Sequence, residues 1–153
     1  MKEFNIVLVA PEIPQNTGTI GRLAVATGSR LHLIKPLGFL LEDKYLRRAG
    51  MDYWQYLDLH VYENWQEFLD ANSPQRMFFF STHGEKIYWD IDFEEGDYLV
   101  FGRESAGLPK EFYEIYRDKL ALIPMPGEHS RSLNLANAAS IVLYEAMRQL
   151  SRG

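Results

Sequence analysis

The 153-residue sequence contains no cysteine. That removes disulfides, thiolate zinc sites and cysteine nucleophiles together. No apolar run approaches the roughly 18 residues of a membrane span, so no membrane partner is expected. Met1-Lys2-Glu3 does not open a secretory leader: Glu3 and Asn5 interrupt it, and no small-residue cleavage site follows an apolar core. The expected location is cytoplasmic. No Walker A motif follows any apolar run. Pro11-Glu12-Ile13-Pro14-Gln15-Asn16 stands where a G-x-G-x-x-G dinucleotide fingerprint would follow the first strand. Gly102-Arg103-Glu104-Ser105-Ala106-Gly107 has G-x-x-S-x-G spacing, which is not a nucleophile elbow. His32, His60, His83 and His129 are dispersed and form no pair at metal spacing, so no metal is expected. An excess of positive charge is missing too. Lys+Arg is 16 against 21 Asp+Glu, a net charge of -5, which at face value speaks against a nucleic-acid partner.

The composition is that of one globular domain spanning 1–153, with 46% apolar and 24% charged residues. The charge is unevenly placed. Residues 90–97, Asp-Ile-Asp-Phe-Glu-Glu-Gly-Asp, hold five of the 21 acids and no base, and read as an exposed loop beside a strand. Residues 13–41 hold no acid, and from Arg22 to Arg48 six bases face two acids. Phosphate responds to such local fields rather than to the whole-chain sum. A solvated basic surface is the plainer alternative.

Apolar runs and helical patterns alternate. Asn5-Ile6-Val7-Leu8-Val9-Ala10 is a β-branched run stopped by Pro11, which predicts a buried strand. Further strands are expected at 31–34, 57–62, 77–82, 98–101 and 121–125. Asn16 is placed to cap a helix reaching Thr27, with Gly28 as its stop. Asn64 begins a short helix, and Pro109 fits the first turn of one carrying Phe112, Ile115 and Tyr116. A long helix runs from about Leu133 to Leu150. Apolar strands separated by helices predict an α/β fold, one parallel sheet flanked by helices on both faces. In the last helix Leu135, Ala139, Val142, Ala146 and Leu150 form a stripe, which Ala136, Leu143 and Met147 widen. Ile141 and Tyr144 lie further round. An apolar face wider than the usual ~100° predicts packing on the sheet and on a second copy of the chain. The alternative is a helix buried deep in its own fold.

Three segments hold the chemistry. Asn16-Thr17-Gly18-Thr19-Ile20-Gly21-Arg22 stands at a strand-to-helix junction, where glycines permit close approach. In Phe101-Gly102-Arg103-Glu104-Ser105-Ala106-Gly107-Leu108-Pro109 a buried strand ends at a glycine, and open parallel sheets bind ligands at the carboxyl ends of strands. The third segment runs over 123–138. A proline-rich loop leads there to Ser130 or Ser132 as helix cap, then to Asn134 and Asn137. Such poor helix formers in a first turn point to backbone or ligand binding.

In order and spacing these segments resemble the SPOUT (SpoU-type) RNA 2′-O-ribose methyltransferases, whose motifs read N-x-G-x-x-x-R, F-G-x-E-x-x-G-L-P and I-P-M…S-x-N-L-x-N-A. The resemblance covers essentially the whole chain. Residues 11–18 and Leu46-Arg47-Arg48-Ala49-Gly50-Met51-Asp52-Tyr53 are further similar to the small subfamily that methylates the ribose of the wobble cytidine or uridine in certain leucine tRNAs. Phe78-Phe79-Phe80 is bulkier than the family strand, and Arg103 occupies a variable position. The resemblance implies a deep trefoil knot at the C-terminal end of the sheet and a homodimer joined through the last helix. It implies S-adenosylmethionine bound by Phe80, Ser81, Thr82, Gly102, Gly107, Ile123, Met125, Ser132, Leu133 and Asn137. It assigns catalysis to Arg22, Asn16 and Glu104, and tRNA contact to Arg22, Lys44, Arg47, Arg48 and Arg131. Arginine is a poor base, because guanidinium holds its proton far into the alkaline range. Arg22 is therefore expected to bind phosphate and stabilise the 2′-oxyanion, with Glu104 fixing loop geometry. A different tRNA or ribosomal RNA site, or a non-catalytic RNA-binding protein of this fold, is the competing reading.

Overall fold

The computed structural model describes residues 4–42, 44–49 and 53–151. Met1, Lys2 and Glu3 lie outside the described residues. So do Asp43 of the basic stretch and Gly50, Met51 and Asp52 of the 46–53 segment.

The strands are β1 (Asn5–Val9), β2 (Arg30–Ile34), β3 (Asp58–Tyr62), β4 (Met77–Phe80), β5 (Lys86–Ile87), β6 (Tyr98–Phe101) and β7 (Leu120–Leu122). They form one sheet in the order β3-β2-β1-β6-β4-β7-β5, with every pairing parallel. The helices are α1 (Pro14–Thr27), α2 (Lys44–Ala49), α3 (Trp65–Asn72), α4 (Phe112–Ile115) and α5 (Leu135–Ser151). Successive strand residues alternate between two covered faces. Ile6, Leu8, Leu31, Leu33, Leu99 and Phe101 pack with Ile20 and Ala24 of α1 and with Ala139, Val142, Leu143 and Ala146 of α5. Val7, Val9, Ile34, Phe79 and Val100 pack with Phe68 of α3 and Phe112 of α4. Burial on both faces is why these strands are apolar almost throughout.

The helix ends differ from the sequence reading. α1 begins at Pro14, with Ile13 as its N-cap, so Asn16 lies inside the helix. Proline suits that first position because the amide it lacks has no intrahelical partner there. Gly28 does close α1, at φ 70°. α5 is capped by neither Ser130 nor Ser132. Asn134 Oδ1 accepts from the amides of Ala136 (2.9 Å) and Asn137 (3.2 Å). α4 is a single turn that starts after Pro109, and β7 stops at Leu122, two residues before Pro124.

Asp97, at the end of the acidic run, is 1% exposed and accepts from Arg76 Nε at 2.7 Å. Arg76 also meets Glu94 at 2.7 Å, while Ile91 and Phe93 are buried. The run is the exposed loop expected beside β6, with Asp90, Asp92, Glu94 and Glu95 at the surface, and Ile91, Phe93 and Asp97 anchor it to the body. Among the bases, Arg30 pairs with Asp58 and Lys35 with Glu63, across the β2–β3 edge. Arg22 is exposed on α1, and Lys44 and Arg48 on α2.

Candidate active site

Because all the strands point the same way, the loops after β1, β4, β6 and β7 leave from one edge. The strand order reverses at β1: β2 and β3 extend to one side, β6 and β4 to the other. Loops diverge at such a switch point and leave a crevice. A cleft of about 520 Å³ opens beside this point, at the carboxyl ends of β6, β4 and β7, within the ~300–1,000 Å³ range of small-molecule sites.

The cleft gathers residues far apart in sequence. Phe80, Ser81 and Thr82 come from the end of β4, and Gly102, Glu104 and Gly107 from the loop after β6. Ile123 and Met125 follow β7, Ser132 and Leu133 precede α5, and Asn16 enters from α1. Asn137 does not line the cleft: it is exposed on α5, and Asn134 takes the place at the wall. Gly102 is required by the path of the chain, since a Cβ there would fall on the backbone of Gly107 and Leu108. Gly107 closes the loop at φ 72°, with its amide donating to the Arg103 carbonyl at 2.8 Å.

Side-chain hydrogen bonds lock these loops together. Glu104 accepts from the amides of Glu12 (2.8 Å) and Ile13 (3.0 Å) and from Asn16 Nδ2 (3.1 Å). Glu12 returns the contact, accepting from the amide and hydroxyl of Ser105 at 2.8 and 2.9 Å. The Ser105 amide holds the Glu12 carboxyl below its ordinary pKa. Asn16 Oδ1 in turn accepts from Asn134 Nδ2 at 3.0 Å. A continuous chain therefore runs from the β6 loop through α1 to the cap of α5, and it joins all three motif segments. Glu104 and Asn16 fix its centre.

The cationic residues stand outside the cleft. Arg22 lies on the exposed stripe of α1 with Gln15 and Thr19, its Cζ 4.8 Å from the centre of the Tyr53 ring. Lys44 and Arg48 are exposed on the adjoining α2, and Arg131 is exposed in the loop before α5. Arg47 belongs to α2, and its side chain lies outside the described residues. The cleft wall also includes His83 and Tyr113, which sequence gave no signal for. Tyr113 Oη lies 3.0 Å from Ser81 Oγ. Among the described residues no three His, Asp or Glu side chains gather as a metal site. Nor is any described helix long and apolar enough to cross a membrane.

The lining fits a ligand of nucleoside size. Phe80, Phe101, Ile123 and Leu133 give apolar walls for a flat base, and the Phe80 and Phe101 rings stack at 5.1 Å. Ser81, Thr82 and Ser132 offer neutral hydroxyls at the wall, beside irregular backbone. Both Glu104 oxygens already accept from protein donors, so recognition falls to backbone and hydroxyl groups.

The SpoU rRNA Methylase family model matches residues 3–144. The chain is 53% identical over 148 residues to the tRNA (cytidine(34)-2'-O)-methyltransferase of Saccharophagus degradans, covering 96% of each chain. It is 47% identical over 148 residues to the protein of that name from Escherichia coli K12, covering 96% of this chain and 94% of the other. A solved structure concerned with the 2-OH methylation of C/U34 on tRNA matches with a TM-score of 0.91 and 49% identity, over 98% of this chain and 97% of that one. The SpoU methyltransferase AviRb from Streptomyces viridochromogenes, in complex with the cofactor AdoMet, matches with a TM-score of 0.85 and 31% identity. There the match covers 100% of this chain and 63% of the other.

Proposed function

This chain belongs to the SpoU rRNA methylase family, and we propose that it methylates the ribose 2′-hydroxyl of cytidine or uridine at tRNA position 34, in leucine tRNA anticodons, using S-adenosylmethionine. The observation that carries this reading is the cleft itself. Three separated motif segments meet there and are tied by one chain of hydrogen bonds through Glu104, Asn16 and Asn134.

Bound in the cleft, S-adenosylmethionine would supply an electrophilic methyl group on sulfur. Phe80, Ile123 and Leu133 would flank its base, and Ser81, Thr82 and Ser132 its polar edges. Glu104 and Asn16 hold the loops that shape the site. Arg22 acts as a cation on the neighbouring phosphate and the developing 2′-oxyanion, a role for which a planar guanidinium fork is suited. The hydroxyl proton leaves to a phosphate oxygen or to water. Lys44, Arg48 and Arg131 give the RNA further cations around the cleft.

The same reading makes the molecule a homodimer. Tyr144 is 53% exposed on the outer side of α5, beside half-buried Ile141, and a second copy would cover both. It also implies the trefoil knot. In support, β6 lies between β1 and β4, and β7 between β4 and β5. A Cβ on Gly84 would strike the backbone of Ala121, so the segment entering β5 runs tightly against β7. Action on tRNA would be in keeping with a cytoplasmic location.

Arg22→Ala tests the assignment. Turnover should fall by about 100-fold or more, with the dissociation constant for cofactor unchanged within about twofold. Undiminished methyl transfer would remove Arg22 from the chemistry.

A further inference from the structure

We propose that Tyr53 is the positioning residue for Arg22, holding one face of the guanidinium so that its in-plane N–H groups stay available for RNA. The inference rests on the reading of Arg22 as the cation beside the reacting ribose. The Arg22 Cζ stands 4.8 Å from the centre of the Tyr53 ring, where the negative face of the ring attracts the cation. Arg30, Arg76 and Arg148 each pair with a carboxylate. Among the described residues Arg22 has no such partner. The difference is chemical. A carboxylate takes the same N–H donors that a phosphate or a 2′-oxyanion needs. An aromatic face takes none of them, yet it restrains a long side chain that would otherwise sample many rotamers.

The ring is placed by the helix that carries Arg22. Tyr53 leads a single 3₁₀ turn, Trp54–Tyr56, whose hydrogen bonds run from the amide of Tyr56 to the Tyr53 carbonyl (2.9 Å) and from that of Leu57 to the Trp54 carbonyl (3.1 Å). Trp54 and Leu57 press on α1 at Gly21, the residue beside Arg22. A Cβ on Gly21 would stand 3.3 Å from Trp54 Cζ3 and 3.3 Å from Leu57 Cδ2. The missing side chain lets the turn seat against the helix and sets the Tyr53 ring against the guanidinium. Gly21, Arg22, Tyr53 and Trp54 thus form one unit, with Gly21 and Trp54 fixing the spacing. Donors fixed beforehand need no reorganisation as charge develops on the 2′-oxygen.

Four variants of the full-length protein test this, with S-adenosylmethionine and tRNA as substrates. Tyr53→Leu removes the aromatic face and should lower kcat about tenfold, leaving the cofactor dissociation constant and the melting temperature near those of the parent. Tyr53→Phe keeps the face and should restore kcat to within about twofold. Gly21→Ala keeps the ring but displaces the turn, and should lower kcat about three- to fivefold. In an Arg22→Ala background, Tyr53→Leu should cost nothing further. Full kcat in Tyr53→Leu, or the same tenfold loss with Arg22 already gone, would overturn the proposal. If Tyr53→Leu loses stability, Gly21→Ala decides, and an unchanged kcat there counts against it. Full turnover in Arg22→Ala alone would instead overturn the reading of Arg22 on which the proposal rests.

Discussion

Glu104 shows how little of this site is reactive side chain and how much is support. Its two oxygens accept from Glu12, Ile13 and Asn16, which leaves it poorly placed to take a proton from a substrate. Glu104→Gln would keep the shape but turn an acceptor into a donor facing other donors. That should lower stability by about 1–3 kcal/mol and weaken cofactor binding, as read by thermal melting and by calorimetry with S-adenosylhomocysteine. Parent-like values for both would show that the bridge between α1 and the β6 loop is dispensable. Asn16 stood out in the sequence, but its local role did not. Asparagine at a strand-to-helix junction reads as a cap, yet Pro14 starts the helix two residues earlier, and Asn16 turns instead to Glu104 and Asn134. Asn134 could be singled out from its poor helix propensity. His83 and Tyr113 could not, because only the folding of β4 and α4 toward one edge brings them to the wall.

Strands were easier to read than helix ends. A parallel strand covered on both faces is a short apolar run, and β1, β2 and β6 coincide with such runs. His32 in β2 and Asn5 in β1 are buried polar residues inside them. His32 is 1% exposed, with Nδ1 2.9 Å from Tyr62 Oη and Nε2 2.9 Å from Asn5 Oδ1. The carbonyl oxygen of Asn5 can only accept, so Nε2 carries the proton and Nδ1 accepts from the tyrosine. That neutral ring is fully satisfied, and a second proton would face the Tyr62 hydroxyl hydrogen. Burial, aided by His60 and Arg30, pushes the His32 pKa down to about 3. The unfolded chain therefore binds a proton below about pH 6.5 that the folded chain refuses until about pH 3. Stability is full above pH 6.5 and falls as the pH drops through this window, by up to ~1.4 kcal/mol per pH unit. Urea titrations at pH 7, 6 and 5 should show the slope in the parent and a weaker one in His32→Gln. Equal slopes in the two would contradict the account.

The whole chain carries -5, yet that sum says little about its partner. Arg76 ties down two acids of the 90–97 run, and Asp58 and Glu63 neutralise Arg30 and Lys35. Among the described residues Arg22, Lys44 and Arg48 are exposed on α1 and α2, so positive charge gathers locally there despite the negative sum. In a homodimer that field would occur twice, so that two such faces flank one stem-loop. Affinity for tRNA should then be modest and salt-sensitive, with selectivity set by the shape of the anticodon loop and its fit to the cleft. Sheet order belongs to the same level and was not legible: no local pattern places β6 beside β1 or β7 beside β4, because those neighbours are set by packing of the whole chain. The most direct test is to incubate the protein with methyl-labelled S-adenosylmethionine and total tRNA from cells lacking the enzyme, then map the label. A methyl group on the ribose 2′-oxygen of position 34 in leucine tRNAs is the predicted result. Label on a base, or none on tRNA while ribosomal RNA is methylated, would contradict it.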